Sequence, residues 1–232
     1  MSSPILIFVV DEERDVSKST DPVMEPPDYI ITLLERRLGK TYMEANSKLF
    51  QIIHVKLPLQ PNSDIPEVIA RDRKLLLANV HANRLEWGEL RTLSKVGSHG
   101  QYYRQAIVSA LEKIEDANSF QCIFAGRRLG AAFLIDVLVN GLRKKTSKMM
   151  YIHYIHLAEC APDWVFWNSA IPNISGSTFQ VVPTCRFSHI MEAGDMNAST
   201  FPDPFENMAL SVHSNNFEWL DPIIPYILHS LP

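Results

Sequence analysis

The chain has 232 residues, a formal net charge of −4 and 46% hydrophobic residues, enough apolar material for a sizeable buried core. That slight acidity argues against a dedicated nucleic-acid binder, which carries a basic excess, and no run reaches the roughly eighteen apolar residues of a membrane helix. Cys122, Cys160 and Cys185 are odd in number and set among apolar neighbours. They read as reduced thiols of an intracellular, cytoplasmic or nuclear protein.

The chain opens with a short apolar run, Ile5–Val10 (ILIFVV), that meets the acids Asp11-Glu12-Glu13-Arg14-Asp15 at once. Without a basic leader it reads as a buried strand rather than a signal peptide. After a Pro-containing loop, a helix is expected from Asp28, as N-cap, to about Leu38, with Ile30, Ile31, Leu33, Leu34 and Leu38 near one face and Gly39 at its end. Phe50–Leu57 is a second strand, closed by Pro58. Residues 65–93 have helical spacing, and Val96-Gly97-Ser98-His99-Gly100 breaks it. A further helix is expected over Tyr102–Ile114, with Tyr103, Ile107, Ala110, Leu111 and Ile114 as its stripe. The third strand is Phe120–Ala125, followed by Gly126-Arg127-Arg128-Leu129-Gly130 and a helix to about Leu142. Met149–Leu157 is the fourth strand, and a short helix is expected over Asp163–Ala170. Thr178–Pro183 is the fifth, with Thr184–Ile190 as a paired strand. Phe205–Val212 fits helix or strand, and Phe217–Leu231 fits a helix that Pro222 and Pro225 kink or delay.

Alternating helices and apolar strands imply an α/β fold of three layers, a mainly parallel sheet with helices on both faces. One domain is expected over 1–232, with 191–232 as its C-terminal extension. In such sheets ligands and catalytic groups gather at the carboxyl ends of the strands.

Two strand ends therefore draw the search for chemistry. At the first, the carboxylates Asp11, Glu13 and Asp15 are a candidate site for a hard cation, which prefers oxygen ligands. At the second, Arg127 and Arg128 beside the amides of a helix N-terminus are a candidate anion site. The nucleotide patterns G-x-x-x-x-G-K-[ST] and G-x-G-x-x-G do not fit there, and no cofactor is implied. His153 and His156, three apart on a strand, fall on opposite faces, which argues against a shared metal. Trp164, Phe166 and Trp167 cover more than one side of a short helix and are the candidate interface anchors.

The element order, with Asp15-Val16-Ser17-Lys18-Ser19 in the D-x-S-x-S spacing, resembles a von Willebrand factor type A domain with a degenerate metal-adhesion site. Asp15 lies four residues past the strand end that the motif should follow, and Asp11 stands at that end. Ser98 stands for the family's later threonine, and Ala125-Gly126-Arg127 replaces its later aspartate. This resemblance implies a non-enzymatic subunit of a multiprotein assembly, of the kind found in DNA repair and transcription, whose partners are other protein subunits. A second resemblance is to the α/β-hydrolases. Gly126-Arg127-Arg128-Leu129-Gly130 keeps the outer glycines of the G-x-S-x-G nucleophile elbow, with Arg128 in the serine's place. His213 precedes the last helix as that family's histidine does. This implies an esterase- or lipase-like protein that is inactive, or one that uses Ser98 or Ser211 as nucleophile with His213 as base.

Overall fold

The computed structural model describes residues 3–12, 24–57, 99–115, 119–140, 149–159, 174, 179–192, 205–210 and 217–231. They form six strands: β1 (Ile5–Glu12), β2 (Phe50–Leu57), β3 (Gln121–Arg127), β4 (Met150–Ala158), β5 (Phe179–Glu192) and β6 (Phe205–Leu210). All pair in parallel, in the order β2-β1-β3-β4-β5-β6. The helices are α1 (Pro26–Leu38), α2 (Lys40–Ala45), α3 (His99–Glu112), α4 (Leu129–Asn140) and α5 (Ile223–Ser230). The expected α/β fold with a parallel sheet is present.

Strand β1 is apolar on both sides because both sides are covered. In β1, Leu6, Phe8 and Val10 face one way, toward α3 and α4, with Phe124, Tyr103, Ile107, Leu111, Phe133 and Leu134. Ile5, Ile7 and Val9 face the other way, toward α1 and α5, with Ile30, Leu34, Trp219, Ile223 and Ile227. Period-two alternation thus feeds two cores from one strand. Fully burying each of these large side chains contributes about 1.5–3 kcal/mol. The helix faces follow the same logic: the Tyr103, Ile107, Leu111 stripe on α3 is buried as its spacing requires.

Several boundaries differ from the sequence-based expectation, each for a local reason. Helix α1 starts at Pro26, not after Asp28, because proline in the first turn forfeits no hydrogen bond, and Asp28 lies within that turn. Gly39, at φ 87°, ends α1, as expected, and α2 follows at once. Helix α3 begins at His99, so His99 and Gly100 are helical rather than part of a break. Strand β3 runs through Gly126 and Arg127, two residues past the expected end, because both still pair with β4. Strand β5 is a single strand through Pro183, not two paired strands: β4 passes from Ile152 to Tyr154 while β5 passes from Val181 to Arg186. The intervening residues leave the ladder, which is where a proline without an N–H is tolerated. Residues 205–210 are strand. The C-terminal segment starts late as a helix, with a 3₁₀ turn at Glu218–Leu220 before α5, whose N-cap is Pro222. The helices expected over 65–93 and 163–170 lie outside the described residues.

Candidate functional site at the sheet switch point

From β1 the chain first crosses to β2 on one side, then returns past β1 to β3 and continues outward through β4, β5 and β6. The direction of winding therefore reverses between β1 and β3. In open parallel sheets, that switch point opens a crevice at the carboxyl ends of the two strands. Here those ends carry Glu12 on β1 and Arg127 on β3, followed by Arg128.

The turn from β3 into α4 is very short. Arg127 is the last strand residue, Leu129 the first helical one, and Arg128 alone makes the turn at φ 51°. A left-handed backbone at a residue with a side chain costs about 1 kcal/mol or more, so the surroundings must hold it. The Arg128 amide donates to the Ala158 carbonyl at 2.9 Å, and the Arg128 carbonyl accepts from Ala132 N–H at 3.2 Å, opening the helix. The two flanking glycines are required by contact rather than by φ. A Cβ on Gly130 would lie 2.3 Å from the Val10 carbonyl oxygen of β1, and one on Gly126 would lie 2.6 Å from Ala131 Cα. Glycine at these positions lets the start of α4 press onto β1 and onto its own strand. Strand, single left-handed residue and helix thus form one tight turn at the carboxyl end of β3. Arg128 is the residue at its centre.

Glu159, directly after β4, holds both arginines. Arg127 Nε and Nη2 donate to its Oε1 at 3.0 and 2.7 Å, and Arg128 Nε donates to its Oε2 at 2.5 Å. Glu159 is itself left-handed, at φ 49°, with its amide bonded to the Ile190 carbonyl at 2.9 Å. Two adjacent strands thus end in strained residues joined by a charged fork. The Arg127 side chain is buried, whereas that of Arg128 is 24% exposed.

The backbone amide after the elbow residue, Leu129 N–H, is engaged within the chain. It donates to Glu12 Oε1 at 3.2 Å. In elbow-type enzymes this amide forms part of the oxyanion hole. Burial pushes the Glu12 carboxyl above the usual carboxylate range, although the Leu129 amide and the two guanidinium groups pull the other way. The candidate anion site is therefore already filled by the chain's own carboxyl groups, Glu12 at the helix amide and Glu159 on the arginines.

Of the proposed metal ligands, Asp11 is buried, and its Oδ1 accepts the Glu12 amide at 2.8 Å. Glu13 and Asp15 lie outside the described residues, as do Ser98, Ser211, His213 and the aromatic group Trp164, Phe166 and Trp167. Among the described residues, no group of three His, Cys, Asp or Glu side chains could hold a metal ion. No helix among them is long and apolar enough to cross a membrane.

A second polar cluster lies deeper, in the middle of β4 and β5. His156 Nε2 is 2.5 Å from the Trp219 carbonyl and Nδ1 is 2.6 Å from Ser188 Oγ, which is 2.7 Å from the Tyr154 hydroxyl. A carbonyl only accepts, so Nε2 carries the proton. The neutral ring then accepts from Ser188 at Nδ1, and Ser188 accepts from Tyr154. Complete burial drives the His156 pKa down to about 3, which keeps the ring neutral. His156 stacks on Trp219, and Tyr154 stacks on Tyr226. The expected strict alternation of His153 and His156 is interrupted, because the register with β3 and β5 shifts at His153. Ser188 and His156 are both fully buried, so this chain of hydroxyls fastens β4, β5 and the C-terminal segment together.

Glu12 and Glu159 were missing from the sequence-based site. A signal existed for Glu12: counting by twos from Leu6, Phe8 and Val10 puts it on the α4 face. Glu159 had none, because its role depends on which strand neighbours β3.

Comparisons with protein-family models, with curated proteins and with solved structures give no match.

Proposed function

We propose that this chain is a non-enzymatic, intracellular interaction subunit of a multiprotein assembly, built on an α/β-hydrolase-like frame. The observation that carries the reading is the elbow. Its backbone strain and its two close-contact glycines are those of a turn that presents a catalytic side chain, yet the residue presented is Arg128. A guanidinium cannot attack a carbonyl, and Glu12 sits on the amide that would hold an oxyanion. The frame is thus suited to holding shape, and the work falls to surfaces, with Trp164, Phe166 and Trp167 as the anchors that the sequence suggests.

The elbow favours the hydrolase-like frame over the type A one. In the type A reading, a divalent cation would sit on Asp11 with Glu13 and Asp15. The bond from the Glu12 amide gives Asp11 a local role without a cation.

Native purification of the tagged chain from its own cells, followed by gel filtration, tests the interaction reading. The expected result is a stoichiometric complex that a Trp164→Ala, Trp167→Ala double variant loses. Recovery of the chain alone and monomeric would overturn it. Thermal stabilisation by magnesium that disappears in Asp11→Ala would instead favour the type A frame.

A further inference from the structure

We draw no further inference here: the strongest candidate, the cluster of Glu12, Arg127, Arg128 and Glu159 at the amino end of α4, belongs to the site already described, and no second observation in the structure points to a ligand for it.

Discussion

The two polar clusters of this sheet lie within a few residues of each other along β4, yet they follow opposite rules. The cluster at the strand ends is ionic and strained: two guanidinium groups share one carboxylate, and two non-glycine residues hold left-handed backbone. The cluster in mid-sheet is neutral and unstrained: a tyrosine, a serine and a histidine pass hydrogen bonds to a carbonyl. Burial explains the division. A charge in mid-sheet would lose its hydration entirely, so histidine there gives up its proton. At the strand ends, Arg128 keeps part of its solvation, and the buried Arg127 is paired with Glu159. The strand ends are thus where this fold tolerates strain and charge, even though Arg128 is not a nucleophile.

The largest effect should come from the glycine that lets the elbow close. Gly130→Ala places a methyl group against the Val10 carbonyl, backbone against backbone, where neither side can yield cheaply. Urea denaturation should show a loss of about 4 kcal/mol, beyond the usual range for overpacking. A loss below about 1 kcal/mol would mean that α4 does not press on β1 as described.

Removing Glu159 comes next. Glu159→Ala takes the shared carboxylate from the buried Arg127 and should cost about 3 kcal/mol by the same measurement. Arg128→Gly should move stability by less than about 1 kcal/mol, because glycine relieves the left-handed backbone while a partly exposed ion pair contributes little. If Arg128→Gly proved the more damaging of the two, the fork would be centred on the elbow rather than on the buried arginine.

The pH response separates the two clusters by sign. His156 has a folded pKa lowered from 6.5 to about 3. Its contribution is therefore fully present above 6.5 and is lost as pH falls from there toward 3, since the unfolded chain takes up the proton first. Between about pH 6 and pH 4, wild type should lose about 1.4 kcal/mol more per pH unit than His156→Gln. Equal slopes would mean that the ring is not held neutral. Glu12 runs the other way. Its folded pKa is raised, so its contribution is present at low pH, below the ordinary 4.5, and is lost as pH rises through the folded value. Glu12→Gln keeps an acceptor for the Leu129 amide. It should match or exceed wild-type stability at pH 7 and lose that advantage near pH 4.

A modest effect is expected in the packing of the C-terminal segment. Tyr226→Leu removes the ring stacked on Tyr154 at 4.8 Å but keeps the apolar bulk. About 1 kcal/mol should be lost, with no change in the pH slope assigned to His156.

How much of this was legible beforehand follows from where the information resides. Ile5–Val10 announces itself because a strand covered on both faces needs no polar residue, and the parallel sheet follows from several such runs. Gly126-Arg127 has loop composition, and only the ladder to β4 keeps it extended. The elbow was visible as spacing, Gly126 and Gly130 around Arg128, since those glycines answer a local steric demand. Its counter-ion was not, because Arg127 and Glu159 meet only after β3 and β4 align. The buried hydroxyl chain was equally hidden. Tyr154, His156 and Ser188 meet through a register shift between β4 and β5 that no local pattern of either strand encodes, and Trp219 reaches them from the distant C-terminal segment.

In the proposed reading, the elbow presents an arginine held by Glu159 in the place where a hydrolase would carry its nucleophile. The direct measurement is intact-mass analysis of the wild-type chain after incubation with a fluorophosphonate serine-hydrolase probe, alongside hydrolysis of short-chain p-nitrophenyl esters. The expected result is an unmodified mass and ester hydrolysis no faster than the protein-free blank. One stoichiometric adduct on a serine, with turnover above that blank, would contradict it.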